Sequence, residues 1–406
     1  MKLLMIIPLL ETGGAEWAFV RQANALVEAG CGVTCYVPYL NLSAEALVNA
    51  FDPRVNVVRL TWINHFHYRV LFKLSQVLPG NMEQKAHSFI LRGLQRRESF
   101  DAVNPHLNSG TTIACLAFKN TKVPVVETDH GDYALILKQD PSMSRLSLPF
   151  QRVDAMICPS KANLDRIARL PWQDHFRSTV VPNCYPISAQ PVPRAMPEED
   201  VFTFGMVSRG VPEKGWREAI TAYRMIRERT DKPTRLVLVG GGEHLSALAR
   251  DLVEPLREHV FFAGQQPDPR PWIESFDVAL LPSYFTAESL PNVIVESLAQ
   301  HKPVIATRVG GIADMLDSPD QTCGLLIPIT GSPPRADVNA LADAMMRLLN
   351  DEALRRDYAE AATRAVARYQ PSVCARAIMS FVETVKSTFV STTKPHTKSS
   401  SLLIEP

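Results

Sequence analysis

Residues 282–296 read Pro-Ser-Tyr-Phe-Thr-Ala-Glu-Ser-Leu-Pro-Asn-Val-Ile-Val-Glu. An apolar run at 278–281 precedes this stretch and an amphipathic segment at 293–300 follows it. A short apolar run closed by Pro and Ser reads as a buried strand and its turn, and the change to helical spacing reads as the next helix. Glu288 falls in the turn and Glu296 on the helix, in E-x7-E spacing. Val293, Ile294 and Leu298 make that helix apolar, so a carboxylate at 296 must find polar partners or stay in water. The plainer alternative is one acid at a helix start and one exposed acid.

The same strand-turn-helix unit recurs outward in both directions. Apolar runs at 2–7, 32–37, 55–60, 102–104, 123–127, 155–158 and 179–181 alternate with helical patterns at 15–29, 83–98 and 161–169. After YPISAQPVPRAMPEED (185–200), rich in proline and without apolar period, the rhythm restarts. Strands are expected at 201–207, 235–239, 260–262, 278–281, 303–307 and 325–327, and helices at 216–228, 245–256, 293–300 and 338–349. Runs buried on both faces and separated by helices imply parallel sheets. The expectation is therefore an α/β protein of two Rossmann-like domains facing across a cleft. Its parts are a first domain at 1–185, a linker at 186–200 and a second domain at 201–366. A helix at 367–388 and a disordered polar tail at 389–406 complete it.

Composition narrows the function classes. The chain has 406 residues, 46% of them hydrophobic, and a net charge of +1 from 43 basic and 42 acidic residues. That balance offers no global field for nucleic acid, so none is expected as a partner. No stretch reaches the roughly 18 apolar residues of a spanning helix, and Pro8 interrupts the short N-terminal run, so a cytoplasmic location is expected. Seven scattered cysteines form no metal-ligand framework, and the close pair Cys31 and Cys35 is expected as buried thiols in or beside a strand; no metal and no cofactor is expected. The segment 65–78, HFHYRVLFKLSQVL, is amphipathic and basic. It fits either a helix packed on the first domain or a peripheral contact with the inner face of a membrane.

Ligands of open parallel sheets bind at the carboxyl ends of strands. Gly13 and Gly14 follow the first strand and open a helix, where the backbone can approach an anion closely. Arg209 and Lys214 lie in SRGVPEKGW (208–216), after the first strand of the second domain, where two cations could neutralise a diphosphate. Sugar and ribose hydroxyls are partners that would suit Glu288 and Glu296. The chain contains no Asp-x-Asp, a pair of carboxylates that could hold a metal.

These residues resemble a known family. PSYFTAESLPNVIVESLAQHKPVIATRVGG (282–311) is similar to the signature of the retaining glycosyltransferase family 4, of GT-B fold. SRGVPEKGW resembles its phosphate-binding segment, GGAEW its N-terminal glycine turn, and Val181-Pro182-Asn183 the segment before its linker. The resemblance implies that Glu288 bonds hydroxyls of the transferred sugar and Glu296 the ribose. It implies that Arg209 and Lys214 hold the diphosphate, and that Gly14 and the backbone around Ser289, Leu290, Pro291 and Asn292 also contact the donor. A histidine near the sugar is implied as well. His130, in ETDHGDY after a strand, is the best match, and His106 is its rival. The sequence has Glu288-Ser289-Leu290-Pro291 where the family commonly has Glu-Gly-Phe-Gly, and Ser208 where it has Gly.

The implied activity is metal-independent transfer of a hexose from a UDP- or GDP-sugar to a glycan or lipid-linked acceptor, in bacterial polysaccharide or lipopolysaccharide synthesis. The C-terminal helix would cross back onto the first domain. A nucleotide-sugar epimerase or a phosphorylase on the same fold, and a non-catalytic scaffold that binds nucleotide sugars, are the alternatives.

Overall fold

The computed structural model describes residues 1–11, 13–58, 82–131, 152–168, 177–187, 191–197, 200–318 and 321–391. The first domain runs β1 (Lys2–Ile6), α1 (Gly14–Glu28), β2 (Gly32–Tyr36), β3 (Asn56–Val58), α2 (Met82–Glu98), β4 (Ala102–Pro105), α3 (Leu107–Phe118), β5 (Val126–Thr128), β6 (Ala155–Cys158), α4 (Lys161–Ile167) and β7 (Arg177–Val180). Its strands pair in the orders β3-β2-β1-β4 and β5-β6-β7. Parallel bridges Val103–Val125 and His106–Thr128 join the two sets into one sheet.

The second domain runs β8 (Phe202–Val207), α5 (Trp216–Arg227), β9 (Thr234–Val239), α6 (Glu243–Asp251), β10 (Val260–Gly264), β11 (Val278–Leu281), α7 (Asn292–Ala299), β12 (Val304–Thr307), β13 (Gly324–Ile327), α8 (Val338–Asn350) and α9 (Glu352–Ala365), and a last helix, α10 (Pro371–Ser391), follows. Its main sheet has the order β10-β9-β8-β11-β12-β13. Each domain therefore has the Rossmann order, reversing beside its first strand.

Burial explains the parallel sheets. Leu3 and Met5 enter one apolar cluster, Leu4 and Ile6 another, and all four are fully buried. Alternate residues of one run thus pack on opposite faces of the sheet. In the second domain Leu236 and Leu238 face one cluster, Val237 and Val239 the other. All seven cysteines are buried and unpaired. Burial pushes their thiols up, Cys31 to about 11, so they are poor nucleophiles.

α10 returns to the first domain. Cys374, Ala375, Ile378, Val382 and Val385 belong to the same cluster as β1 and α1, and Lys386 pairs with Asp101. Where the chain leaves the first domain and where it turns back to it, the Tyr185 N–H donates to the Tyr369 carbonyl at 2.8 Å. The described part of 186–200 is not a free tether. The Ala195 N–H donates to the Pro271 carbonyl at 2.8 Å and the Met196 N–H to Ser275 Oγ at 3.0 Å. Ile187 and Met196 pack on the second core.

Other differences have local causes. The helix expected at 245–256 stops at Asp251, because Pro255 disfavours helical backbone at Glu254. α3, with Gly110, Thr111 and Thr112, was not expected; tertiary burial of Ile113, Ala114, Ala117 and Phe118 outweighs its weak propensity. The amphipathic segment 65–78 and residues 392–406 of the tail lie outside the described residues. Among the described residues, no helix is long and apolar enough to cross a membrane.

Candidate active site

The proposed residues gather at the two points where strand order reverses. In the second domain the loop after β8 carries Arg209 and Lys214, and the loop after β11 carries 282–291. In the first domain Gly13 and Gly14 follow β1 and His106 follows β4.

Lys214 and Glu288 meet directly. Lys214 ends a single 3-10 turn, Pro212–Lys214, and its Nζ bonds Glu288 Oε1. Their side chains are 10% and 7% exposed. Ser283 Oγ donates to the same carboxylate oxygen at 2.7 Å. The loops approach because residue 215 is glycine. Its φ is +85°, and a Cβ there would lie 2.1 Å from the Pro282 carbonyl oxygen. The pair leaves a buried cation held in place with its charge compensated. Arg209 is different: its side chain is exposed, and among the described residues its guanidinium makes no hydrogen bond or ion pair. Its carbonyl accepts from Trp216 Nε1 at 2.9 Å, tying the loop to the helix behind it.

The facing domain grips the Glu288 loop. Arg166 Nη2 on α4 donates to the Glu288 carbonyl at 3.1 Å, and burial holds the Arg166 pKa below its usual value. Ser289 Oγ donates to Asn163 Oδ1 at 3.0 Å, and Asn163 Nδ2 donates to Asp129 Oδ2 at 2.7 Å. Burial pushes the Asp129 carboxyl up, opposed by that bond and by the Gly131 N–H. A Cβ at Gly311 would lie 2.1 Å from the Ser289 carbonyl oxygen. The glycine pair after β12 thus lets this loop lie close.

Glu296, expected to need polar partners, has one in the protein. Arg21 Nη2 on α1 lies 3.7 Å from Glu296 Oε1, and the Arg21 guanidinium stands 4.5 Å over the Tyr185 ring. Burial raises the Glu296 pKa, opposed chiefly by Arg21. Leu290 packs into the second core, Pro291 caps α7 and Asn292 begins it. A Cβ at Gly14 would sit 3.6 Å from Asn292 Nδ2, so the start of α1 faces the start of α7.

The two rival histidines are neighbours. His106 Nδ1 and His130 Nε2 are 2.8 Å apart, with His106 fully buried and His130 half-buried. Burial drives His130 down to about 4, and His106 well below its usual value. A histidine with a lowered folded pKa contributes stability that is complete above its unfolded value and is lost as pH falls through the folded value. Between about pH 6.5 and pH 4 the His130 shift alone removes roughly 2–3 kcal/mol of stability. Asp129 and Glu296, whose carboxyls are raised, act in the opposite sense. His130→Asn should therefore flatten the loss measured by urea unfolding at pH 7 and pH 4.5. An unchanged acid slope would show that His130 is not held neutral.

Among the described residues, no group of three or more His, Cys, Asp or Glu is gathered as a metal site. Sequence reasoning missed Ser283, Arg166, Asn163, Asp129 and Arg21. Ser283 and Asp129 stood inside quoted stretches, 282–296 and ETDHGDY (127–133). The other three carry no local signal, because their partners in the site lie far along the chain.

Residues 12–188 match Glycosyltransferase Family 4, and residues 201–351 match Glycosyl transferases group 1. The chain is a family 4 glycosyltransferase. Its GT-B fold is shared with sucrose-phosphate synthase from Thermosynechococcus elongatus (TM-score 0.73, 19% identity, covering 96% of this chain and 100% of that one). It is also shared with Anabaena HepE in complex with UDP and glucose (TM-score 0.71, 17% identity, covering 95% and 100%). Among curated proteins, the lipopolysaccharide core biosynthesis glycosyltransferase LpsE of Rhizobium meliloti is 28% identical over 353 residues, 86% of this chain and 89% of that protein. In this glycosyltransferase, then, Lys214–Glu288 ties two loops of the second domain together, and Arg21–Glu296 joins a helix of the first domain to one of the second.

Proposed function

We propose that this glycosyltransferase moves a hexose from a UDP- or GDP-sugar to a glycan or lipid-linked acceptor, with retention and without a metal, in bacterial polysaccharide or lipopolysaccharide synthesis. The observation that carries this reading is the buried Lys214–Glu288 pair at the strand-order reversal of the second domain. The second domain, 201–366, takes the donor, and the first, 1–185, takes the acceptor. Cytoplasmic placement belongs to the same proposal, with the segment 65–78 either packed on the first domain or in peripheral contact with the membrane. The likeness to LpsE supports the lipopolysaccharide class, and the likeness to a UDP-bound structure supports a nucleotide donor.

The residues then divide the work. Lys214 and Arg209 neutralise the diphosphate, assisted by the first turns of α1 and α7, whose N–H groups favour anions. Glu288 accepts from hydroxyls of the transferred sugar, Glu296 from the ribose, and His130 contacts the sugar from the facing domain. The bond from the anomeric carbon to phosphate oxygen breaks while the acceptor oxygen bonds the same face. The acceptor proton passes to the departing phosphate. Stabilising that leaving group is the protein's largest contribution. Closure of the two domains excludes water and limits hydrolysis.

A panel of UDP-, GDP- and ADP-sugars tests this by thermal unfolding with and without EDTA. A ligand that binds only the folded state stabilises it by about 2.7 kcal/mol at a hundredfold excess over Kd. One UDP- or GDP-sugar should raise Tm clearly and equally in both buffers. No shift with any donor would overturn the nucleotide-sugar reading, and a shift abolished by EDTA would overturn metal independence.

A further inference from the structure

The histidine pair belongs to a longer buried chain of hydrogen bonds whose directions can be worked out. Asn104, at 1% exposure on β4, directs Nδ2 at the Val126 carbonyl, 2.6 Å away, and at Thr128 Oγ1, 2.9 Å away. A carbonyl only accepts, so this end of the amide must be the NH2 group. Asn104 Oδ1 is then purely an acceptor. It takes one hydrogen from Gln22 Nε2 at 2.7 Å and faces His106 Nε2 at 3.0 Å. His106 Nε2 must therefore carry a hydrogen. In the neutral ring, favoured by complete burial, His106 Nδ1 is bare. The nitrogen facing it, His130 Nε2 at 2.8 Å, must donate. In a neutral His130 this leaves Nδ1 as a free lone pair. The Phe19 ring, perpendicular to the His106 ring with centroids 4.8 Å apart, helps hold the buried ring in place.

We infer that His106 is a positioning residue, oriented by Asn104, which locks His130 in its Nε2–H tautomer so that His130 Nδ1 accepts a hydroxyl hydrogen from the transferred sugar. The inference rests on the proposed glycosyl transfer for the identity of that hydroxyl, and on the hydrogen-bond chain alone for the tautomer. His130 is the half-buried end of the chain and His106 the sealed end. The Gly131 that follows His130 lies against the loop of Glu288: a Cβ there would be 3.1 Å from the Ala287 carbonyl oxygen. The acceptor nitrogen thus belongs to a residue beside the proposed sugar-binding loop. Without the lock, the ring could present N–H instead of a lone pair to the same hydroxyl, and an acceptor would become a donor.

The test uses the full chain with 15N-labelled histidine, reading two-bond proton–nitrogen correlations of the rings at pH 7. Both His106 and His130 should carry hydrogen on Nε2 in the wild type. In His106→Leu the Nε2 preference of His130 should be lost. In His106→Gln, whose Oε1 and Nε2 can replace the two ring nitrogens, it should persist. Binding is read with UDP-glucose against UDP and GDP-mannose against GDP. For the pair that binds, His106→Leu should lose about tenfold of the affinity added by the sugar, with nucleoside diphosphate affinity unchanged, and His106→Gln should recover it. Hydrogen on Nδ1 of either ring in the wild type would overturn the inference. So would an unmoved tautomer in His106→Leu, a Gln variant that behaves like Leu, or equal weakening of nucleotide and nucleotide sugar. If no nucleotide binds, the glycosyl-transfer reading fails, and the ring-nitrogen result still decides the role of His106.

Discussion

Lys214→Ala should lower turnover by about 10²–10³-fold, the usual cost of removing one preorganised group that meets transition-state charge. It should also lower stability, because Glu288, 6% exposed in the native pair, would lose its cation. Breaking a buried ion pair from one side costs roughly 3–5 kcal/mol, and protonation of the abandoned carboxyl reduces that figure. The two effects can be separated. The double variant Lys214→Met with Glu288→Gln removes both charges and keeps similar volume, so it should regain most of the lost stability and none of the activity. Nucleoside diphosphate release with donor and acceptor present, together with urea unfolding, provides both readouts. Near-normal turnover in folded Lys214→Ala would remove the pair from the proposed machinery.

Gly215→Ala should lower turnover by about 10²-fold, though residue 215 offers no functional group. Two separate penalties meet there. The φ of +85° is strained for any L side chain, costing about 1–2 kcal/mol. The new Cβ would also lie 2.1 Å from the Pro282 carbonyl oxygen, so backbone must move. That carbonyl begins the loop carrying Ser283 and Glu288, and residue 215 follows Lys214 directly. Misplacement on the order of 1 Å between catalytic groups is sufficient for the expected loss. Gly30→Ala is the control: its φ is +86°, but nothing lies within 4 Å of the new Cβ. It should cost about 1 kcal/mol and leave turnover intact. Equal behaviour of the two variants would mean that strain, not the Pro282 contact, governs position 215.

Much of the architecture was legible in the chain. The runs 155–158 and 278–281 are the strands β6 and β11 without change of boundary. Their apolar residues bury both faces of a sheet, and that requirement is written locally. The segments Gly13-Gly14, Arg209–Lys214 and 282–296 lie at strand ends as expected, because glycine, proline and the change of period mark those turns. α3 was not legible, since packing against the sheet outweighs its composition.

The site divides along the same line. Lys214 and Glu288 were both named from sequence, but for separate tasks; the fold joins them in one ion pair across 74 residues of chain. His106 and His130 stood as alternatives, and the fold makes them members of one hydrogen-bond chain. Arg21, Asn163 and Arg166 have no sequence signature at all. Their partners Glu296, Ser289 and Glu288 belong to the other domain. Residue type and spacing therefore determined the strands, the turns and the chemical groups that the chain could offer, because these depend on local backbone preference and burial. Only the tertiary structure decided which group neutralises, orients or holds which, because hydrogen bonds and ion pairs act over a few ångströms in space, whatever the separation along the chain.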